Sequence, residues 1–577
     1  MNKQSSLPTR HHGISSPIAA ILLMAVFLLG SVPACHSPSR QPEAGSSAPF
    51  LWDNANVYFL LTDRFYNGDP SNDMNFNRSL PTGPMRGFEG GDLKGVIDKL
   101  KEGYFQQLGT TALWLTPFFE QDHGATDEGT GLTYGYHGYW IRDWTRLDPN
   151  FGTAGELDEL VRLAHSQGIR ILMDVVMNHT GPVTALDPVW PGDWVRTSPP
   201  CSYTSYETTV SCTLVENLPD ILTGSDLPVE LPPALLEKWE AEGRLMQELK
   251  ELEEFFERTG FPRAPRYYLI KWLTDFVRRY GIDGFRLDTA KHIEEWIWAE
   301  LYMEANDAFR VWKRNHPDLV MDENDFFMVG EVYGYGISSG RLFSFGDREV
   351  DYFAQHIHSL INFQFKEDAG MAYEELFARY SALLHGELEG NGVLNYISSH
   401  DDSSPFDPDR LEPVEALTKL LLAPGAAQLY YGDESARDLR IPGALGDARL
   451  RGPMNWNEIE EGRVKNGIPV TAILDHAGKL GRFRREHPSV GAGKHTKISE
   501  EPYLFSRTLE REGYTDHVVV GLDLDPGEKQ LDVGSVFADG TGLYDYYSDT
   551  FATVRKGQVT IRSGFPVVLL GSKQPQP

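Results

Sequence analysis

At 577 residues, with 41% hydrophobic and 24% charged side chains, the chain can bury more than one core and has the composition of a soluble globular protein. Its 83 acidic and 53 basic residues give a formal charge of −30, which argues against nucleic acid or an anionic membrane as a partner. A neutral ligand and bound cations suit that balance, although solubility alone also accounts for it.

In chain order, residues 1–35 read as a targeting segment. Lys3, Arg10, His11 and His12 precede an apolar run from Ile18 to Gly30, shorter than the roughly 20 residues that span a bilayer. Val32-Pro33-Ala34-Cys35 is similar to a bacterial lipoprotein signal, in which the cysteine becomes the lipidated first residue. Pro33 is unusual in that box, so cleavage without lipid stays open. Residues 36–49 read as a flexible tether. The expectation is export, either anchored through Cys35 at the periplasm or cell surface, or secreted.

Next comes NGDPSND, with Asn67, Asp69, Asn72 and Asp73, followed by Gly90 and Asp92 in GGD. Clustered side-chain oxygens on such a loop make either a calcium cage or a polar Asx-type turn. TALWLT reads as a strand. AGELDELVRLAHSQG places Leu157, Leu160, Val161 and Ala164 at helical spacing, stops at Gly168 and passes into the strand IRILMDVV, with Asn178 and His179 just beyond. From His179 to about Arg266 the rhythm breaks. This stretch holds Cys201 and Cys212, LPD (Leu218 to Asp220) and a long charged helix between Pro232-Pro233 and Gly260. The two cysteines can close one small loop, and in an oxidising compartment a disulfide is expected; they lack the partners and spacing of a zinc site.

YYLIKWLTDFVRRYG then leads into IDGFRLD, and FFMVGE, NGVLNYIS and the run from Ala426 to Tyr431 supply later strands. Repeated βα units indicate a parallel sheet. A helix around Lys479 to Glu486 ends at His487-Pro488, and HVVVGLDL, QVTIRS and PVVLLG beyond it predict an antiparallel sandwich.

Three acids stand at strand ends: Asp288 in GFRLD, Glu331 in FFMVGE and Asp401 in ISSHD. Gathering carboxylates is costly, and enzymes that cleave sugar acetals have a reason to do it, because one acid protonates a leaving oxygen while another carboxylate faces the anomeric carbon. Arg286 lies two residues before Asp288, on the same side of a strand, and holds it ionised as a nucleophile must be. Glu331 follows Phe327, Met328 and Val329, and an apolar setting suits a proton donor. Active groups at the ends of several strands point to a (β/α)8 barrel rather than a doubly wound sheet.

DVVMNH, GFRLDTAKH, the GE of MVGE and the HD of SSHD resemble, in that order, the four signature motifs of the α-amylase family (glycoside hydrolase family 13). GYHGYW (Gly135 to Trp140) and LPD agree with two further family segments. The resemblance runs from about Val57 to about Trp456; Ser398 and Ser399 depart from the usual residues of the fourth motif. It implies an α/β architecture with the barrel in two parts (50–179 and 266–490), an inserted domain B after the third strand (180–265) and a C-terminal sandwich (491–577). It also implies that Asp288 is the nucleophile, Glu331 the acid/base and Asp401 the third acid, which binds ring hydroxyls. His137, Tyr139, His179, Arg286, Lys291, His292 and His400 would contact sugar or support the acids. Asn178, Asp220 and the carbonyl of His292 would clamp one calcium, and the Asn67–Asp92 group resembles a second site in some bacterial relatives. The substrate expected is an α-1,4-glucan, starch or maltooligosaccharides. Two readings stay beside hydrolysis: transfer, in which a sugar hydroxyl intercepts the same intermediate, and a glycan-binding lipoprotein without chemistry. Endo or exo action and oligomeric state are left open.

Overall fold

The computed structural model describes residues 48–573 except 128, 403 and 512. The expected targeting segment, Cys35 and all but the last two tether residues lie outside the described residues. Among the described residues, no helix is long and apolar enough to cross a membrane.

Eight parallel strands close a barrel: β1 (Asn56–Leu60), β2 (Ala112–Leu115), β3 (Arg170–Val175), β4 (Gly284–Leu287), β5 (Phe327–Gly330), β6 (Ser359–Asn362), β7 (Gly392–Tyr396) and β8 (Ala426–Tyr430). Every residue of these strands is buried, as strands enclosed by helices on one side and a packed interior on the other must be. The surrounding helices are α1 (Leu93–Lys101) and α2 (Ala154–Ser166) and, after two helices of the excursion, α3 (Pro233–Ala241) and α4 (Leu245–Thr259), then α5 (Pro265–Tyr280), α6 (Ile297–Asn315), α7 (Tyr373–Leu384), α8 (Pro413–Leu422) and α9 (Val470–Glu486). Thr153 and Glu156 form a reciprocal capping box at the start of α2, and Pro265 and Gly281 bracket α5.

Register places the acids. Along β4, Arg286 sits opposite Asp174 of β3, and Leu287 sits opposite Gly330 of β5. The next residues, Asp288 and Glu331, therefore emerge side by side at the carboxyl rim.

The excursion between β3 and β4 carries a short antiparallel pair (Val195–Arg196 with Asp220–Ile221), the Cys201–Cys212 disulfide expected from the sequence, and α3 and α4. The single long helix expected there is two, because Gly243 turns left-handed (φ +72°) just after α3. Both are cladding: Trp239, Leu252, Phe255 and Phe256 are buried, with Phe256 and Trp239 packed against Tyr268 and Trp272 of α5.

The C-terminal part is a sandwich, with β9 (Lys494–Ser499), β10 (Tyr503–Arg511), β11 (Tyr514–Leu522), β13 (Gly542–Asp545), β14 (Thr550–Thr553) and β16 (Val568–Gly571) in one sheet and β12 (Gly527–Asp532) with β15 (Gln558–Ser563) in the other. Alternation along β11 sends Val519 into the sandwich core and Val518 and Val520 onto the barrel. Helix α9 begins nine residues before the expected Lys479, since Gly478 and Gly481 inside it meet the carbonyls of Gln107 and Leu108 at distances no side chain would allow.

Candidate active site

At the carboxyl rim a cavity of about 550 Å³ is lined by Asp288, Glu331 and Asp401 together with His137, Tyr139, His179, Lys291, His292 and His400. Arg286 lies directly beneath its floor, fully buried. All ten residues expected to act on or bind a sugar are thus brought to one place.

One guanidinium organises the floor. Arg286 Nη1 donates to Asp288 Oδ1 at 2.6 Å and to Asp174 Oδ1 at 2.9 Å, while Nη2 stands 3.0 Å from Glu331 Oε2. Asp174 is held from behind by Trp114 Nε1 (2.9 Å) and by the Tyr139 hydroxyl (2.8 Å). With its hydroxyl spent there, Tyr139 has its ring to offer the cavity, roughly parallel to the His400 imidazole at 5.4 Å. Thr289, a β-branched residue in the left-handed region (φ +48°), donates its backbone N–H to Glu331 Oε2 at 2.9 Å. Backbone strain at that position is spent on aiming one donor at one acid.

Three buried acids sharing one cation, with the half-buried Asp401 close by, cannot all ionise. Burial pushes the Glu331 carboxyl up to about 8; Arg286 pulls it down, and the charges of Asp288 and Asp401 push it up again. Burial likewise raises Asp174, to about 6, and Asp401, against the pull of Arg286 on both. The retained proton therefore belongs on Glu331. Burial lowers His137, His179 and His400, which leaves three neutral hydrogen-bonding rings around the cavity. Burial also lowers Lys291, whose Nζ donates to the Tyr333 carbonyl at 3.0 Å.

Several lining residues were not singled out from the sequence. Arg451 donates to the His400 carbonyl (2.9 Å) and pairs with Asp447 (2.6 Å), which also meets Arg86 at 3.2 Å. Burial raises Asp447, but Arg451 and Arg86 more than offset it and hold it at about 2. The four-residue spacing of Asp447 and Arg451 was their only trace in the sequence. Of the two departures in the fourth motif, Ser398 turns inward and donates to Asp433 (2.6 Å), whereas Ser399 stands beside His400 (3.4 Å).

Among the described residues no group of three or more His, Cys, Asp or Glu side chains is arranged to hold a metal ion, and the two sets expected to do so are placed as follows. The side-chain oxygen of Asn178 lies 3.1 Å from the His292 carbonyl and 3.2 Å from Asp220 Oδ1, so three oxygens face one another. Either the amide turns to donate or a cation sits among them. Burial raises Asp220 to about 8 against the pull of Arg196. In the N-terminal loop, Asp92 accepts from the amides of Gly68, Asp69 and Gly95 and from Asn72, and so caps α1 as well as tying the turn. Asp69 accepts from Ser71, and Asn67 donates to Asp73 at 2.9 Å. The oxygens of Asn67 and Asn72 are buried without a partner. Gly90 lies in the left-handed region (φ +91°), where any side chain would be strained, and a Cβ there would displace the Asn67 amide.

The α-amylase catalytic-domain profile matches residues 59–187. The periplasmic α-amylase of Escherichia coli is 36% identical over 519 residues, covering 80% of this chain and 71% of that protein. The chain belongs to the α-amylase family. Members of this family are glycoside hydrolases. The α-amylase of Streptomyces lividans is 26% identical, with 84% of this chain and 56% of that one covered, and a cyclomaltodextrin glucanotransferase of a Bacillus species is 25% identical, with 85% and 62% covered. Among solved structures, an Anoxybacillus α-amylase matches with a TM-score of 0.60 at 23% identity, over 92% of this chain and all of that one, which shows the fold.

Proposed function

We propose that the protein is an exported α-glucan hydrolase acting with retention on α-1,4 bonds of starch or maltooligosaccharides. The Arg286 fork carries this reading: one guanidinium bridges Asp288 and a protonated Glu331 at the floor of one cavity. Asp288 attacks the anomeric carbon as the glycosidic C–O bond breaks, and the departing oxygen takes the proton of Glu331. Glu331, now a base, removes a proton from water, which attacks the anomeric carbon and frees Asp288. Asp401 and His400 hold ring hydroxyls, and Tyr139 lies under the apolar face of the sugar. Reducing-sugar release by an Asp288→Asn variant equal to that of the parent would defeat this assignment.

The Asn178, Asp220 and His292 oxygens suit a calcium ion, a hard cation that supplies no chemistry here but fastens the excursion to the barrel. A second ion rests on the orphan oxygens of Asn67 and Asn72, with Asp69, Asp73, Gly90 and Asp92 shaping the loop. The transferase reading is favoured by the glucanotransferases among the relatives; longer products from maltoheptaose would support it. Export is supported by the periplasmic location in the name of one relative and by the disulfide. Anchoring through Cys35 is tested by lipid labelling of the mature chain.

A further inference from the structure

The excursion carries a loop, residues 201–212, closed by the Cys201–Cys212 disulfide. None of the chemistry above uses it, yet it forms a wall of the cleft. Tyr203, 51% exposed, lines the cavity beside Leu214. Its backbone is left-handed (φ +56°), which a bulky residue adopts only when its surroundings impose it. Its hydroxyl donates to the Leu214 carbonyl (3.2 Å), and its ring meets the edge of His292 at 5.8 Å.

The loop is pinned to the barrel at three points. His292 Nδ1 donates to the Thr209 carbonyl (3.0 Å). The Tyr206 hydroxyl donates to Glu295 (2.5 Å), and the Tyr206 backbone N–H donates to Asp347 (2.8 Å). Arg348 covers the Tyr206 ring at 3.8 Å and pairs with the same Glu295. The Lys291 ammonium stands 5.7 Å from the Tyr203 centroid and donates to the carbonyl of Tyr333, two residues beyond Glu331. Tyr203 therefore stands on the same side of the cavity as Lys291 and the segment that follows Glu331.

We infer that the disulfide-closed loop is a specificity element that presents Tyr203 as an aromatic face to the sugar on the leaving-group side of the bond being cut. This rests on the glucan reading above. An aromatic ring matches the apolar face of a pyranose, and the cross-link keeps the loop from the many other conformations open to twelve residues. None of the three acids touches the loop, so cleavage chemistry survives its loss while the grip on the leaving sugar does not.

The test uses maltoheptaose, which places sugars on both sides of the cut, and maltosyl fluoride, which places none on the leaving side. Tyr203→Ala and the double variant Cys201→Ser/Cys212→Ser should lose about tenfold in kcat/KM on maltoheptaose, mainly through KM, and stay within about twofold of the parent on the fluoride. Tyr203→Phe should match the parent. Equal losses on both substrates, or no loss on maltoheptaose, would overturn the inference. Should the double variant fail to fold, the Tyr203→Ala and Tyr203→Phe pair decides alone. A parent inactive on both substrates would instead overturn the glucan reading.

Discussion

Glu331 is read as the group that must hold a proton, and two neighbours of opposite charge allow that reading to be checked by direction. In the pH profile of kcat/KM, the alkaline limb reports loss of the essential proton from the free enzyme. Arg286 lies 3.0 Å from Glu331 Oε2 and lowers its pKa; Asp401 raises it. Arg286→Gln should therefore move the limb up from about 8, and Asp401→Asn should move it down. At about 4 Å between charge centres and an effective dielectric constant of about 20, the guanidinium is worth about 4 kcal/mol, or roughly three pH units. Asp288 and Asp174 share that cation, so a realised rise of about one to two units is expected. Arg286→Gln also strands buried carboxylates at a cost of about 3–5 kcal/mol, so Arg286→Lys serves as the partner variant: it keeps the charge and should leave the limb close to its place. The assay is initial-rate hydrolysis of maltoheptaose from pH 5 to 10, with melting temperature as the check on folding. If both neutralising variants moved the limb the same way, or if activity fell with the limb unmoved, the proton would not be on Glu331.

Glu331→Gln should lose about 10²–10⁴-fold on maltoheptaose yet keep the first-turnover burst of fluoride from maltosyl fluoride, whose leaving group needs no proton, while later turnovers slow for want of the base; a burst lost to the same extent would remove Glu331 from the donor role. Chelation should lower the melting temperature of the parent, and Asp220→Asn should shrink that response, as read by differential scanning calorimetry with and without added calcium. Gly481→Ala should destabilise by about 1–3 kcal/mol, because the new Cβ would lie 1.9 Å from the Leu108 carbonyl; denaturant unfolding measures it, and a neutral result would mean the α9 contact yields easily.

What could be read from the sequence was whatever a short segment decides by itself. The tips of β4 and β5 are apolar runs followed by acids, and the parallel register converts those sequence positions into neighbours, so Asp288 and Glu331 are legible in the sequence. Features set by contacts between distant segments were not. Helix α9 begins earlier than the expected Lys479, and the lack of side chains at Gly478 and Gly481 lets the carbonyls of Gln107 and Leu108 approach it. Strand β6, Ser359–Asn362, was overlooked: it is four residues long, and Asn362 is buried only because Tyr380 and Asn395 accept its amide hydrogens. Arg451 escaped notice for a related reason, since a lone arginine past the last barrel strand has no local signature, and its role appears only when it reaches back 51 residues to the His400 carbonyl. The same division runs through the site. The acids that would break and make bonds are written into strand tips, while the residues that surround them, Arg451, Asp447 and Tyr203, belong to segments whose positions tertiary contacts decide. Exchanging such loops between relatives should therefore alter which sugars are gripped while leaving Asp288, Glu331 and Asp401 where the barrel register puts them.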